Sequence, residues 1–435
     1  MASFFIPLTG LESDSTALNT IANDLSNMNT TGFKAQTTDF SDLFYQQIGS
    51  TGDGDPIQVG AGVQVASNET AFTQGSINST GNATDVALNG SGFFVVDNGG
   101  IFEYSRAGNF SLNSNGNLVT ANGLDVMGYP AVNGVVNTNA PLTAINIPVG
   151  AVQDPIATTT LSMTANLDPT TAAGTAFPAQ LTVYDSLGEP HVVTATFTPT
   201  AVANVWDYSV ALPAADYSTA GGDAAPAAIT GTMTFNANGN LTTVTPTGGA
   251  AETVGTAAGD VSSIALNFNP AATNVLADGA AGLDIQWNLL GASGTPAISQ
   301  VDTASAVSAT TQNGYASGQY QSFTIGNDGT VTVSYSNGQT QNVGRLALAN
   351  VSNLQGLSLL GDGDYATTRA SGTAVVGTSG AAGLATVQDD ALEASNVNIS
   401  TEFSELIIAQ RAFEANAKSV TTFDTVTQDT INMVH

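Results

Sequence analysis

The residue types that most often carry chemistry are scarce in this sequence of 435 residues. It contains no cysteine and two histidines, His191 and His435, so thiolate chemistry is excluded and a histidine-based triad or metal cluster is not expected. Among 35 acidic residues some pair always lies at the separation that glycoside hydrolysis needs, so their number is no argument for an enzyme. No phosphate-binding glycine motif or nucleophile-elbow motif occurs. We therefore predict no enzymatic activity, no catalytic residues, no cofactor and no metal site.

The charge balance is strongly acidic, with a formal net charge of -29. No Lys or Arg occurs between Arg106 and Arg345, a stretch that holds 14 Asp and Glu residues. Nucleic-acid binding depends on Lys and Arg that neutralise phosphates, and anionic lipid headgroups attract the same residues. We predict that neither nucleic acid nor a membrane surface is a partner, and that the acidic residues lie on solvated faces.

The sequence also lacks the features of membrane insertion. No stretch approaches the roughly 18 to 20 apolar residues that span a bilayer, and the first basic residue is Lys34, so a cleaved secretory signal is not expected. If the protein is extracellular, we expect it to be exported by a secretion system that recognises a different signal.

A seven-residue apolar repeat near the N-terminus predicts an amphipathic helix. The repeat consists of Leu11, Leu18, Ile21, Leu25 and Met28, with Asp14 as its one interruption. Thr9 to Glu12 fits a capping box that follows Pro7, so we expect the helix to begin near Gly10 and to end at Gly32.

A second and longer helix is predicted at the C-terminus, beginning at Ser400 or Thr401. Its apolar seam consists of Phe403, Leu406, Phe413, Ala417, Val420, Ile431 and Val434. Because this helix is longer than the first, part of its seam has no partner within the chain and is free to bind neighbouring copies. The alternative is an ordinary helical hairpin that seals a single subunit.

The long middle of the chain is rich in Gly, Thr, Asn, Val and Ala with frequent Asn-Gly turns, which is typical of β-structure. Trp206 and Trp287 could stack on sugars, but aromatic residues in strands are more often part of a core. We predict a multidomain protein in which the termini form an α-helical coiled-coil pair, and in which mainly antiparallel β domains lie between them, one inserted in the other. The predicted domains are a helical domain (1–33 and 399–435), a linker region (34–70 and 373–398), a first β domain (71–150 and 304–372) and an inserted outer β domain (151–303).

Motifs at both ends resemble those of the bacterial flagellar rod and hook proteins. Residues 22–34 read ANDLSNMNTTGFK, residues 392–397 read LEASNV and residues 409–417 read AQRAFEANA. The likeness continues through FTQG (72–75), DVAL (85–88), GFF (92–94) and YSRAGNF (104–110). The large inserted domain, TVYD (182–185) and QNGY (312–315) are similar to the hook members of the family. The residues that carry the motif are Asn23, Asn27, Asn29, Thr31, Gly32, Phe33, Gln410 and Arg411.

This resemblance implies a structural subunit that forms a helical homopolymer, the flexible tubular joint that transmits torque from rod to filament. It further implies export by the flagellar export apparatus, contacts with distal rod, hook cap and hook-filament junction proteins, and an extracellular position in the hook, on the basal-body side. The alternative is a surface-layer or adhesin-like protein, which the same composition would suit but which does not need heptads at both ends.

Overall fold

The computed structural model of the chain describes residues 5–50, 52–53, 55–217, 227–268 and 276–433. Two helices, Phe5–Ser26 (α1) and Ile399–Asn432 (α2), flank a body of strands. The chain divides into two compact units, of which unit 1 comprises 1–149, 321–334 and 340–435, and unit 2 comprises 150–320 and 335–339. The predicted fold class, with helical termini and mainly antiparallel β domains, is confirmed.

Helix α1 does not begin at Gly10 as the capping box suggested, because residues from Phe5 onward are already helical. Pro7 is tolerated there, since the first turn of a helix has no partners for its backbone N–H groups. The Thr9 hydroxyl donates to the carbonyl oxygen of Ile6 (2.8 Å) instead of capping the helix. The helix ends at Ser26, and Gly32 has the expected left-handed conformation (φ 69°) six residues further on.

Helix α2 begins within two residues of the predicted position. The side chain of Asn398 accepts hydrogen bonds from the backbone N–H groups of Ser400 (3.0 Å) and Thr401 (3.4 Å), which is the geometry of an N-cap. The helix has 34 residues, against 22 in α1, so it is the longer of the two as predicted.

The strands fall into three groups along the chain. The first group, in unit 1, comprises Gln36–Asp42 (β1), Tyr45–Ser50 (β2), Pro56–Gly60 (β3), Val63–Thr70 (β4), Ile77–Ser79 (β5), Val86–Asn89 (β6), Phe93–Asp97 (β7), Phe102–Ser105 (β8), Ser111–Leu112 (β9), Leu118–Val119 (β10), Asp125–Val132 (β11), Val135–Val136 (β12) and Thr143–Ala144 (β13). The second, in unit 2, comprises Val152–Gln153 (β14), Thr160–Leu167 (β15), Phe177–Tyr184 (β16), Pro190–Pro199 (β17), Val205–Ala211 (β18), Ile229–Phe235 (β19), Leu241–Pro246 (β20), Glu252–Thr253 (β21), Ser263–Phe268 (β22), Leu283–Asn288 (β23), Ile298–Gln300 (β24) and Ala306–Gln312 (β25). The third comprises Gly318–Ile325 (β26), Thr330–Tyr335 (β27), Thr340–Leu346 (β28), Leu348–Asn350 (β29), Ser358–Gly361 (β30), Asp364–Ala366 (β31), Val375–Gly377 (β32), Thr386–Asp389 (β33) and Ala391–Glu393 (β34). Short 3-10 helices lie at Ala214–Asp216, Leu354–Gly356 and Ala381–Gly383.

The main sheet of unit 1 runs in the order β27-β28-β11-β7-β8-β31-β30, with antiparallel pairs throughout. Tyr129 of β11 pairs with Arg345 of β28, so the sheet joins segments that lie on both sides of unit 2 in the sequence. Its core includes Phe93, Tyr104 and Tyr365.

Unit 2 contains two sheets that share one core. Strands β16 to β21 form an antiparallel meander in sequence order. The second sheet has the order β22-β23-β15-β24, in which β15 runs parallel to β23 and β24 and pairs antiparallel with β25. Strand β25, which the sequence assigned to the first β domain, therefore lies in unit 2. Trp206 and Trp287 are buried in this core, as predicted.

The segments predicted as linkers are mostly paired strands. Strand β1 pairs with β4 and β2 pairs with β3, while β33 pairs with β6 and β34 with β5. The Gly-rich composition of 49–62 obscured this pairing, because glycine is as compatible with a tight hairpin as with a linker.

Candidate assembly surface

Helix α1 packs against antiparallel α2 through small and polar side chains. The buried positions Gly10, Ser13, Ala17, Thr20 and Asp24 recur every three or four residues. A Cβ atom on Gly10 would lie 2.6 Å from Nδ2 of Asn416 in α2, so no larger residue fits there without a shift. The same Nδ2 donates to Oδ2 of Asp14 (2.9 Å). Close approach at Gly10 and the hydrogen bond to Asp14 therefore join the two helices at this point, whereas Thr20 and Asp24 bond Thr38 and Gln36 of β1.

The predicted leucine seam lies one residue away from this contact. Leu11, Leu18 and Leu25 each follow a buried position and are half-buried, whereas Ile21 is buried and Met28 is exposed. The predicted seam therefore lies beside the most buried positions of α1. Its contacts with other copies remain a prediction.

Helix α2 leaves much of its apolar surface uncovered. Of its predicted seam residues, Leu406, Ala417 and Val420 are half-buried, Phe403, Phe413 and Ile431 are exposed, and Val434 lies outside the described residues. Ile407 (49% exposed) and Ile408 (67%), which the heptad did not include, are exposed as well. Contiguous apolar surface of this kind is typical of a protein-protein interface.

The β2–β3 hairpin is a second exposed apolar element of unit 1. Phe44, Tyr45, Ile48, Ile57 and Val59 in and beside it are all exposed. An isolated two-stranded hairpin is marginally stable in water, so a further contact surface would stabilise it.

A buried ion cluster joins the N-terminal and C-terminal motifs to the first β domain. Lys34 Nζ lies 2.6 Å from Oε1 of Glu393, and Arg106 Nη1 lies 3.1 Å from Oε2 of the same carboxylate. All three side chains are at least 95% buried. Burial lowers the pKa of Lys34 and of Arg106, and the charge of Glu393 opposes both shifts. One carboxylate thus balances two cations in the interior.

Backbone contacts complete this junction. The backbone N–H of Gly32 donates to the carbonyl of Glu393 (2.8 Å), and a Cβ atom on Gly32 would lie 2.7 Å from the backbone carbon of Arg106. The side chain of Asn396 accepts from the N–H of Ala35 (2.8 Å) and donates to the carbonyl of Ala71 (2.7 Å). These residues lie within the sequence motifs, but their ion cluster was not predicted, although Lys34 and Arg106 are two of only six basic residues.

Four of the predicted motif residues, Asn23, Asn27, Thr31 and Phe33, line an open cavity of about 840 Å³ beside the junction. Loops of the first β domain form its other wall. Asn29 is exposed, and Gln410 and Arg411 are exposed on α2, so the structure does not bring these three into the cavity. The N-terminal motif therefore belongs to a structural junction, whereas the C-terminal pair faces outward.

In unit 2 a histidine lies between two carboxylates. His191 Nε2 lies 3.1 Å from Oδ2 of Asp185, and Nδ1 lies 3.0 Å from Oδ2 of Asp216. Burial would lower the pKa of His191, but Asp185 and Asp216 raise it above its ordinary value. The cluster ties the turn after β16 to strand β17 and to the 3-10 helix Ala214–Asp216.

No helix within the described part of the chain is long and apolar enough to cross a membrane.

Four protein-family models match: flagella basal body rod protein (8–34), flagellar hook protein FlgE/F/G D1 domain (87–162), flagellar basal body protein FlaE D2 domain (152–315) and flagellar basal body rod FlgEFG protein C-terminal (388–433).

Curated relatives match over the whole chain. The flagellar hook protein FlgE of Treponema pallidum is 34% identical over 100% of this chain and 99% of its own length, and that of Escherichia coli is 34% identical over 99% and 100%. The crystal structure of Helicobacter pylori flagellar hook protein FlgE2 has the same fold, with a TM-score of 0.51 at 12% identity over 73% of this chain and 100% of that one. With an acidic body, clasped terminal helices and uncovered apolar faces, the chain belongs to the family of bacterial flagellar hook proteins.

Proposed function

We propose that this hook subunit polymerises through its terminal helices into a flexible tube that transmits torque from rod to filament. The observation that carries the proposal is the uncovered apolar surface of α2, since Phe403, Ile407 and Ile408 are exposed in the single chain. Other copies of the chain would cover this surface. In such a tube α1 and α2 line the channel, and unit 2 forms the exterior.

The proposed partners are those that the likeness to hook proteins implies. A tube of this kind meets a rod protein at one end, a cap during growth and a junction protein at the other end, and it receives its subunits from the flagellar export apparatus. We place the tube outside the cell and assign it no enzymatic activity, in keeping with a family of structural proteins. The surface-layer or adhesin alternative is not favoured, because the relatives that match the full length are hook proteins.

The experiment is to replace Leu18 and Leu25 together by Asp. Both residues belong to the predicted seam of α1 and are half-buried in the single chain, so part of each side chain is available to other copies. We expect tubes to be absent by electron microscopy of the concentrated variant, while tryptophan fluorescence shows a folded unit 2.

The matched control is the double replacement of Val202 and Val301 by Asp, which adds the same charges at exposed positions of unit 2. We expect this variant to form tubes. Normal tubes from the Leu18→Asp, Leu25→Asp variant would refute the proposal.

A further inference from the structure

Three acidic residues converge where the end of α1 meets the start of α2. Asp24 is fully buried and Glu402 is 8% exposed, while Glu405 is exposed beside them. Oδ2 of Asp24 accepts the backbone N–H of Gln36 (2.7 Å). Oδ1 of Asp24 and Oε2 of Glu402 are buried without a hydrogen-bond partner. We call these three residues the acidic notch.

The notch is electrostatically incomplete in the single chain. The pKa of Asp24 is raised to about 6. Burial is the main cause and the charge of Glu405 adds to it, whereas the hydrogen bond from Gln36 lowers the pKa. Burial also raises the pKa of Glu402, as do the charges of Asp24 and Glu405. Buried carboxylates without a cation are costly, so unpartnered oxygens of this kind mark a missing donor.

The chain has few cations that could supply that donor. Lys34 and Arg106 are held by Glu393 in the interior, and Arg345 is near Asp328. Arg369, Arg411 and Lys418 are exposed, and the last two lie on α2. Lys418 follows Glu414 by four residues and so has a carboxylate beside it, whereas the residue four before Arg411 is Ile407. Arg411 is exposed and forms no ion pair with any residue that the structure describes.

Arg411 cannot neutralise the notch of its own chain. It follows Glu402 by nine residues, which is about two and a half turns of helix, so the two side chains project from opposite faces of α2. A guanidinium of Arg411 bound at the notch would therefore belong to a second copy.

An apolar groove next to the notch fits the same helix. It has a volume of about 270 Å³ and lies between α1, β1 and α2, all in unit 1. Its apolar lining consists of Ala17, Ile21, Phe40, Ile408, Ala409 and Ala412, with Glu405 at its edge. Ile407 precedes Arg411 by four residues and so shares its face of α2, on which Phe403 and Glu414 also lie.

We propose that this groove receives α2 of a second copy of the chain, with Ile407 in the apolar part and the guanidinium of Arg411 bound to the acidic notch. Charge complementarity selects this occupant, because the chain is strongly anionic and Arg411 is one of its few free cations. The inference rests on the proposed polymerisation and names the contact that holds neighbouring copies.

The test is a double-mutant cycle on the critical concentration for polymerisation, measured by sedimentation and checked by electron microscopy. We expect R411Q and E402Q each to raise the critical concentration by about tenfold or more. The double variant should be no worse than the more severe single variant, because both remove the same contact. R369Q is the matched control, since it removes one exposed positive charge elsewhere in unit 1, and it should change the value less than about twofold.

The outcomes separate the two proposals. If the wild-type chain forms no tubes, the proposed function fails. If it forms tubes and R411Q assembles like the wild type, or if the two single effects multiply in the double variant, this contact is wrong. Glu405 is exposed, so E405Q completes the same cycle should E402Q impair folding.

Discussion

At the scale of single residues, Glu393 is the side chain on which the junction of unit 1 depends most. It accepts from Lys34 and Arg106, and also from the backbone N–H of Gly75 (2.9 Å). Removing its charge leaves two buried cations without a counter-ion, which is far less favourable than a broken surface pair.

We expect Glu393→Gln to lower the free energy of unfolding of unit 1 by about 3–5 kcal/mol. Far-UV circular dichroism in urea follows the whole chain, while Trp206 and Trp287 both lie in unit 2 and report that unit separately. The fluorescence transition should not move. Arg345→Gln, which breaks a partly exposed pair at 3.7 Å, serves as the control and should cost about 0–1 kcal/mol. Equal effects of the two variants would contradict the role given to Glu393.

His191 should make the stability of unit 2 depend on pH. Asp185 and Asp216 face the ring nitrogens of His191 and raise its pKa, although burial lowers it. Asp278 lies in the same cluster, and its hydrogen bond with Asp185 raises its own pKa. Because the pKa of His191 is higher in the folded than in the unfolded chain, protonated His191 stabilises unit 2. This contribution is complete below the unfolded pKa of about 6.5 and is lost as the pH rises through the pKa of the folded state.

The measurement is the urea midpoint of tryptophan fluorescence at pH 6.5 and pH 9. Residues 150–320 contain no Lys, Arg or Cys and no other histidine, so few other groups of this unit titrate in that window. We expect the urea midpoint of the wild-type protein to be lower at pH 9 than at pH 6.5. The urea midpoint of His191→Gln should be the same at both pH values. A wild-type midpoint that rises with pH would contradict the assigned ionisation.

At the scale of elements, the sequence predicted both helices and their packing against each other, which is confirmed, but it did not predict the small and polar residues that α1 buries. The N-cap Asn398 lies next to the predicted start of α2, because a polar residue before an apolar repeat is a local signal. The stripe from Gly10 to Asp24 was missed because it is made of small and polar residues, which a search for apolar heptads passes over. The apolar repeat beside it is still predicted to contact neighbouring copies.

The β2–β3 hairpin was missed for a related reason. Its apolar residues do not face a core of their own chain, so their burial could not be inferred from alternation, and the surrounding glycines favoured a linker. The ion cluster of Lys34, Arg106 and Glu393 joins residues more than 280 positions apart in the sequence, and no local pattern predicts such a pairing.

We expect the exposed face of the hairpin to contribute to assembly and little to the fold. Replacing Ile48 and Ile57 together by Ser should raise the critical concentration for polymerisation several-fold, because apolar area buried between copies is lost. Thermal unfolding of the unassembled chain should be unchanged. The control replaces Val132 and Val135, exposed at the β11–β12 hairpin, by Ser. An unassembled chain destabilised by the Ile variant would show that the hairpin packs on its own subunit.

At the scale of the whole molecule, charge and apolar surface act in opposite directions on assembly. The exposed faces of α2 and of the β2–β3 hairpin favour association, whereas a net charge of -29 on every copy opposes it. Residues 150–320 contribute twelve Asp and Glu residues without any Lys or Arg, so the repulsion is strong within unit 2. The sequence predicted solvated acidic faces, but the exposed apolar surfaces of α2 and of the hairpin became visible only in the folded chain.

Salt should therefore promote polymerisation of this chain. The screening length falls from about 30 Å at 0.01 M to about 8 Å at 0.15 M salt, which weakens repulsion between exposed acids on neighbouring copies. The pairing of Arg411 with buried Asp24 and Glu402 would be screened much less, so the net effect of salt is favourable. We expect the critical concentration to fall several-fold over this range. In a variant with Asp154→Asn, Glu189→Gln and Asp207→Asn, all exposed in unit 2, the fall should be smaller, because less repulsion remains to be screened. If salt instead dissolved the tubes, surface ion pairs and not apolar contacts would hold the copies together.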